Sequence, residues 1–247
     1  MILRRLGNKT KIAKEIQAHF PPHKIYIEPF FGAGGMFFNK PKAKYNFLND
    51  TDKEIINLFF MLTTEKQALI DYIFFMPECR DLFNYWKGTQ ETEPIKKAAR
   101  FLFLSNFALY GAEGSFRIGN KSDKRSLETN LIKTYDFLIN GCFSTKFLNF
   151  DFRDVLKNIN FIQDGRNDEE KAFIYSDPPY LGTGNNYRNE QKWCEKDVID
   201  CMDITFNSGI KGAMSEFDNE FILNQAKERR LNVIYIGERT NLKNKKN

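Results

Sequence analysis

The amino-acid sequence predicts an α/β protein with a mostly parallel, doubly wound sheet into which a helical segment is inserted. Short apolar runs alternate with amphipathic helices in the first and last parts of the chain, the order that produces parallel strands. Between residues 58 and 140 such runs are missing and the pattern is helical. We therefore expect a discontinuous core, residues 1–57 and 141–247, and an inserted unit, residues 58–140.

The first predicted elements are a helix and a strand. Ile12, Ile16 and Phe20 recur at one-turn spacing, and the prolines at positions 21 and 22 end that helix. Three consecutive apolar residues, 25–27, then predict a buried strand.

A glycine-rich turn, EPFFGAGG at residues 28–35, follows this strand and leads into apolar residues 36–38, where a helix would begin. Strand, glycine turn and helix start bring backbone amides close to a nucleotide-like ligand. The next strand, residues 45–48, is followed by Asp50, about 20 residues after the glycines, the usual offset for an acid that binds ribose hydroxyls. The simpler interpretation is that Asp50 only caps a helix over residues 52–62.

The inserted segment contains a helix over residues 95–107 that is apolar almost all round and should be buried. A loop rich in glycine and serine follows it, and its cations and aromatic residues suit phosphate contacts, base-edge hydrogen bonds and wedging between bases. A solvated loop with incidental charge explains the same pattern. The candidate nucleic-acid contacts in this loop are Tyr110, Phe116, Arg117, Lys121, Lys124 and Arg125.

The strand and helix alternation resumes after the insertion. Apolar runs predict strands over residues 146–148, 173–175, 211–214 and 232–236. The helices between them are predicted towards residue 158, over 197–206, and over a segment with Phe221, Ile222 and Ala226 facing inward.

The strand over residues 173–175 is followed, after Ser176, by Asp177-Pro178-Pro179-Tyr180. Two prolines cannot continue a ladder or a helix, so Asp177 lies at the carboxyl end of the strand, the edge where α/β sheets bind ligands. The Asp177 carboxylate and a prolyl carbonyl could accept hydrogen bonds from a planar, amine-bearing ring stacked on Tyr180. For these four residues alone, a proline-rich surface turn is the simpler interpretation.

Composition narrows the functional classes. The 247 residues carry a formal net charge of +5, which permits nucleic acid binding without requiring it. No apolar run approaches the roughly 20 residues of a membrane-spanning helix, and the N-terminus lacks the apolar core of a signal peptide. The four cysteines form no CxxC pair and two histidines complete a poor zinc-ligand set, so we expect reduced thiols, no metal and a cytoplasmic location.

These motifs together resemble the Dam-like (alpha group) DNA adenine-N6 methyltransferases. The resemblance rests on the segment 28–34, the Asp177-Pro178-Pro179-Tyr180 segment and the helical insertion between them, and it covers nearly the whole chain. Residues 3–9 are similar to the N-terminal Leu-Lys-Trp-x-Gly-Gly-Lys segment of the family, with Arg5 and Asn8 replacing the tryptophan and a glycine. The resemblance implies a Rossmann-like fold that binds S-adenosylmethionine (AdoMet).

The resemblance also implies roles for individual residues. A flipped adenine would stack on Tyr180 and present its amine to Asp177 and the Pro178 carbonyl, beside Pro179, and Arg4 would contact double-stranded DNA. The segment from Ser215 to Asp218 and Arg239 fall where the family has its late motifs. The residues implied to bind AdoMet are Gly7, Lys9, Glu28, Phe31, Gly32, Gly34, Asp50, Asp151, Phe152 and Asp177.

Single sequence positions distinguish adenine methylation from related methyl transfers. The chain has no Pro-Cys dipeptide, which excludes the usual 5-methylcytosine enzyme, and the acid at position 177 favours adenine over the cytosine amine or a glutamine. The segment 110–114 departs from relatives that read GATC, so no target sequence is inferred. The resemblance implies the modification half of a restriction system with a partner endonuclease. Because relatives usually continue beyond Asn247 with one more strand, the alternative is a truncated relative that only binds DNA or AdoMet.

Overall fold

The structure, a computed structural model, describes residues 2–3, 9–108, 115–117, 123–141, 143–163, 165–182 and 193–237. In chain order, the helices and strands are α1 (Ala13–Gln17), β1 (Ile25–Glu28), β2 (Tyr45–Asn49), α2 (Lys53–Thr64), α3 (Lys66–Phe75), α4 (Arg80–Gly88), α5 (Pro94–Phe107), α6 (Asp123–Ile139), β3 (Ser144–Leu148), β4 (Ile162–Gln163), β5 (Arg166–Asn167), β6 (Ala172–Ser176), α7 (Glu195–Phe206), β7 (Lys211–Met214) and α8 (Glu220–Glu228).

The centre of the molecule is a parallel five-stranded sheet with the order β3-β2-β1-β6-β7. The predicted α/β fold with a mostly parallel sheet is therefore confirmed. The chain builds the sheet outward from β1 to β3 and then returns to place β6 on the other side of β1. Ligands bind outside the carboxyl ends of the strands at such a reversal, so β1 and β6 position the candidate site.

The two faces of the sheet are both covered, which explains why the central strands read as unbroken apolar runs. Every residue of β1 and β6 is buried. Because side chains alternate along a strand, Tyr26 and Tyr175 join one hydrophobic cluster, whereas Ile27 and Ile174 join another with Val155.

The inserted helices pack directly on the first of these faces. Phe59 of α2 lies with its ring centroid 5.0 Å from that of Phe31 and 5.2 Å from that of Phe147. Helix α5 is buried at every position from Ala98 to Phe107, as its apolar pattern predicts. Helix α2 continues through position 57, and one hydrophobic cluster spans the sheet and these helices. The division into 1–57 with 141–247 and 58–140 stays a prediction.

The predicted last strand, residues 232–236, is wrong. Residues 231–237 form no ladder with β7 or with another described strand, and Val233, Ile234 and Tyr235 are 49%, 51% and 69% exposed. An apolar run indicates a tendency to be buried, but a strand also needs a neighbouring ladder. The described part of the chain provides none beside this segment.

Two predicted helices are only short 3-10 turns. The helix expected from residue 36 is the turn Phe37–Asn39, because Lys40, which precedes Pro41, is extended as residues before proline usually are. The helix expected towards residue 158 is replaced by the turns Phe152–Asp154 and Leu156–Asn158, and short pieces are the usual form of 3-10 structure. Helix α1 is also shorter than its apolar pattern suggests and ends before Phe20.

An ion-pair group joins the amino ends of β1 and β6, away from the carboxyl edge. Asp168 accepts hydrogen bonds from Lys24 and from Lys171, the latter at 2.9 Å. These two bonds lower the pKa of Asp168 from 3.8 to about 2. Its stabilising contribution is therefore present above pH 3.8 and is lost as the pH falls towards 2.

Asp168→Asn is expected to lower the melting temperature at neutral pH by a few degrees without changing activity, because the charged pairing is lost far from the carboxyl edge. The difference from the wild type should shrink as the pH falls from 3.8 towards 2, because the native carboxylate becomes protonated at the lower end of that range. The control is Asp154→Asn, which changes the same charge in an exposed i,i+3 pair with Lys157. Equal melting temperatures for the two variants at neutral pH would contradict the prediction.

Candidate active site

The segment Asp177 to Tyr180 leaves the sheet at the carboxyl end of β6, next to the end of β1. Pro178 has no N–H to donate, so the ladder between β6 and its neighbours ends here. Across the edge, the backbone N–H of Ser215 donates to the carbonyl of Ser176 at 2.9 Å. Ser176 in turn exchanges a 2.7 Å hydrogen bond with Thr205 of α7. The segment is thus anchored in the sheet immediately before Asp177.

Asp177, Lys9 and Tyr180 form one compact group. The Nζ atom of Lys9 lies 2.6 Å from Oδ1 of Asp177, and the hydroxyl of Tyr180 donates to the same oxygen at 3.2 Å. The Lys9 ammonium also lies 4.5 Å from the centroid of the Tyr180 ring. Phe217 packs edge-on against that ring, with the centroids 4.5 Å apart.

Buried polar side chains surround this group. Glu28 accepts a 2.9 Å hydrogen bond from the Tyr26 hydroxyl. Burial raises the pKa of Glu28 well above its usual value. The hydrogen bond from Tyr26 opposes this increase, and the like charge of Asp177 adds to it. Burial likewise lowers the pKa of Lys40 to about 8, partly opposed by Glu28.

Glu216, two residues after the end of β7, completes the set of carboxyl groups. Its Oε1 accepts from the backbone N–H of Phe217 at 2.9 Å, whereas its Oε2 is buried with no hydrogen-bond partner among the described residues. Burial raises the pKa of Glu216 to about 7, and the charge of Asp177 contributes in the same direction. Glu216 can therefore carry a proton near neutral pH.

The glycine turn is held by Asp50. The backbone N–H of Gly32 donates to Oδ2 of Asp50 at 2.7 Å, and that of Asp52 donates to Oδ1 at 2.9 Å. Gly34 has a φ of +74°, and a Cβ there would lie 2.4 Å from the Phe38 ring. The N-cap of α2 is Asp52, so capping by Asp50, the simpler interpretation of the sequence, is not the arrangement found.

An aromatic group lies at the same edge. The ring centroid of Phe30 is 5.1 Å from that of Phe152 and 5.7 Å from that of Trp193. The indole Nε1 of Trp193 is buried and has no hydrogen-bond partner in the described part of the chain. Asp151 caps the turn Phe152–Asp154 by accepting from the Arg153 backbone N–H at 2.9 Å. A buried donor beside aromatic rings is suited to a planar heterocycle with ring nitrogens.

The predicted site residues fall into three groups. Lys9, Glu28 and Asp177 to Tyr180 lie together, and Asp50 holds the neighbouring glycine turn that contains Phe31, Gly32 and Gly34. Phe152 lies in the aromatic group, beside Asp151. The candidates outside the described residues are Arg4, Gly7, Tyr110, Lys121 and Arg239, with the variant positions Arg5 and Asn8.

The described candidates for DNA contact lie on the inserted segment. Phe116 packs inward, with its ring centroid 5.5 Å from that of Phe83, and Arg117 is exposed next to it. Lys124 donates to the carbonyls of Phe74, at 3.1 Å, and Met76, so it caps the end of α3. Arg125 is exposed at the start of α6.

Sequence reasoning missed three residues of the site. Phe30 lies in the glycine-rich turn and Glu216 in the segment 215–218, but neither side chain has a predicted role of its own, and nothing is predicted for Trp193. A tryptophan before a helix and an acid after the last sheet strand are weak local signals. Only the sheet order, which brings the ends of β1, β6 and β7 together, makes these residues neighbours of Asp177 or Phe152.

The fold and this edge of the sheet define a Rossmann-like methyltransferase. The family model of the D12 class N6 adenine-specific DNA methyltransferases matches residues 6–242, and the chain belongs to that family. By class it is thus an adenine-specific DNA methyltransferase. No helix of the described residues is long and apolar enough to cross a membrane, and their His, Cys, Asp and Glu side chains form no group of three or more that could hold a metal ion.

Three proteins similar to this chain are each named DNA adenine methylase. A DNA adenine methylase of Vibrio cholerae is 28% identical over 203 residues, covering 75% of this chain and 67% of that protein. A DNA adenine methylase of Haemophilus influenzae is 27% identical over 259 residues, covering 94% and 85%. One from Salmonella typhimurium is 25% identical over 191 residues, covering 72% and 64%.

Proposed function

We propose that this protein transfers the methyl group of AdoMet to the N6 amine of an adenine that is flipped out of duplex DNA. The observation that supports this most directly is the Asp177 to Tyr180 segment, which leaves the carboxyl end of β6 beside the buried carboxyl of Glu28. In a member of this family, the carboxyl edge of the sheet at β1 and β6 is suited to binding an amine and a methyl donor at the same time.

The residues of the edge fit AdoMet as the methyl donor. The aromatic group of Phe30, Phe152 and Trp193 suits the adenine of the donor, since it offers rings and a buried N–H without a described partner. The Asp50 carboxylate suits the ribose hydroxyls, and the acidic surroundings of Asp177 suit a cation. When bound, AdoMet supplies the methyl group carried on its sulfonium. Glu28 would lie towards its methionine end.

The chain's own groups orient the target amine. Adenine N6 is a poor nucleophile because its lone pair is delocalised into the ring. Hydrogen bonds from the amine to the Asp177 carboxylate and the Pro178 carbonyl favour a pyramidal nitrogen, and the carboxylate stabilises the positive charge that develops on it. The Tyr180 ring provides a face for stacking the flipped base.

The inserted helices would contact duplex DNA, with Arg117 and Arg125 as exposed cations. A partner endonuclease is implied by the resemblance alone and stays a prediction. The same holds for the alternative, a relative that binds DNA or AdoMet without methyl transfer.

The deciding experiment incubates the protein with AdoMet labelled in its methyl group and with mixed-sequence duplex DNA. Digestion of the DNA to nucleosides should recover the label in N6-methyladenosine. Label in a cytosine derivative would overturn the choice of base. Intact AdoMet binding with no label in the DNA would favour the binding-only alternative.

AdoMet binding is expected to change the fluorescence of Trp193, one of two tryptophans in the chain. Trp193→Phe should remove this change and weaken binding about fivefold, because a hydrogen bond contributes about 1 kcal/mol. The measurement is a fluorescence titration, with calorimetry for the variant.

The matched control for that titration is Trp86→Phe. Trp86 is buried in the inserted helices and its Nε1 already donates to Glu91 at 2.9 Å. The control should keep the response to AdoMet. A response that disappears in the control and persists in Trp193→Phe would place the donor's adenine elsewhere.

Arg117→Ala is expected to weaken DNA binding and to reduce the slope of log K against log [salt] by about 0.9, the value for one phosphate contact. Binding would be measured by fluorescence anisotropy at several salt concentrations. Lys157→Ala, which removes a cation from an exposed ion pair with Asp154, is the control and should leave the slope unchanged. An unchanged slope in Arg117→Ala would mean that the Arg117 side chain is solvated and makes no phosphate contact.

A further inference from the structure

Lys9 is a buried cation whose charge is compensated by contacts with Asp177 and Tyr180, in the segment proposed to bind the target base. The residue is 6% exposed, and its ammonium contacts both the Asp177 carboxylate, at 2.6 Å, and the face of the Tyr180 ring, at 4.5 Å. A buried ammonium is costly unless it is paired and hydrogen-bonded. This contact is therefore a fixed part of the site rather than a surface ion pair.

We propose that Lys9 is a positioning residue that fixes the orientation of the Asp177 carboxylate so that it can receive the adenine amine. This role rests on the proposed function. Lys9 and Tyr180 both donate to Oδ1 of Asp177, and two donors on one oxygen restrict rotation of the carboxylate about its Cβ–Cγ bond. Packing of the Tyr180 ring against Phe217 holds the second donor in place.

The charges around Asp177 explain why a cation is needed. Two further carboxyl groups interact repulsively with it: Glu28, which is buried, and Glu216, which is half-buried. A carboxyl among other carboxyls tends to hold a proton, whereas an ammonium in contact favours the ionised form. An ionised carboxylate accepts the amine hydrogen bond more strongly and stabilises the positive charge on the methylated nitrogen. Among the described residues, the titratable groups that act on or contact Asp177 include Tyr26, Glu28, Tyr175, Tyr180, Glu216 and Lys9.

This role differs from the one that the resemblance implies, in which Lys9 binds AdoMet. A cation that pairs with the carboxylate of the cofactor would affect cofactor affinity when it is removed. A cation that positions Asp177 would affect the rate of the chemical step instead. Measuring binding and single-turnover rate separately distinguishes the two roles.

The experiment compares Lys9→Gln with Lys11→Gln, a control in the same 3-10 turn, Lys9–Lys11, whose side chain is exposed. At saturating AdoMet and DNA, Lys9→Gln should lower the single-turnover rate about 100-fold, as the loss of one preorganised electrostatic group does. The dissociation constant of AdoMet should hardly change, and the control should resemble the wild type. Lys9→Arg, which keeps the charge, should recover part of the lost rate.

A normal rate with weaker AdoMet binding in Lys9→Gln would overturn the proposal in favour of the cofactor contact. A second test measures AdoMet binding to the Asp177→Asn variant by calorimetry, which needs no activity. In this variant, removal of the Lys9 charge leaves no unpaired carboxylate at position 177. Adding Lys9→Gln there should leave AdoMet affinity unchanged, and a further loss of affinity would also overturn the proposal. If the wild type itself fails to methylate adenine, the proposed function fails, whereas this binding test still gives its answer on Lys9.

Discussion

Asp177→Asn is expected to lower the rate of methyl transfer about 10³-fold while AdoMet binding stays close to that of the wild type. The carboxamide keeps the size of the side chain and an oxygen that Lys9 and Tyr180 can still contact. It lacks the negative charge that stabilises the methylated amine. The measurement is single-turnover transfer of labelled methyl groups to duplex DNA, combined with calorimetry of AdoMet binding.

Asparagine is a sharper substitution than alanine at this position. Asp177→Ala would abolish transfer too, but it would leave the buried Lys9 ammonium without its carboxylate, and breaking a buried pair in this way costs about 3–5 kcal/mol. Asp71→Asn changes the same charge on an exposed position of α3 and serves as the control. If Asp177→Asn keeps a normal rate, the amine acceptor has been assigned to the wrong residue.

Asp50→Ala is expected to weaken AdoMet binding about 100-fold, because each hydrogen bond to a charged group contributes about 1.5–3 kcal/mol. The carboxylate has two functions in this proposal. It would bind the ribose hydroxyls, and it already accepts the backbone N–H groups of Gly32 and Asp52. Calorimetry of AdoMet binding measures the loss, and thermal unfolding measures the separate effect on the glycine turn.

Asp52→Ala is the matched control for this prediction. Asp52 caps α2 by accepting from the backbone N–H of Glu54 at 3.0 Å, and loss of a cap costs about 1 kcal/mol of stability. The control should unfold at a lower temperature but bind AdoMet normally. Equal AdoMet affinities for the two variants would mean that Asp50 only holds the turn.

The sheet could be predicted because burial on both faces leaves a clear pattern in the sequence. Residues 25–27 and 173–175 are apolar without interruption, and both are central strands. The same reasoning failed at residues 232–236, because an apolar run does not show whether a ladder partner is present. It also predicted a helix from residue 36, whereas the structure has only a 3-10 turn that ends before Pro41.

The site was predictable only in its local segments. The order of strand, glycine turn, strand and acid identified Asp50, and the two prolines located Asp177 at a strand end. Pairings between distant side chains leave no such pattern. The contact of Lys9 with Asp177, the buried oxygen of Glu216 and the neighbours of Trp193 depend on tertiary packing, so they required the structure.

The contact between Lys9 and Asp177 also has a consequence for folding, since it joins residues 168 positions apart. A chain leaving the ribosome contains Lys9, Glu28 and the glycine turn long before it contains β6. During that time β1 can pair with β2 but not with its other neighbour. Closing such a distant pairing comes late because its entropic cost precedes its gain. The nascent protein therefore acquires a sheet and a helical layer first, and its capacity to modify DNA last.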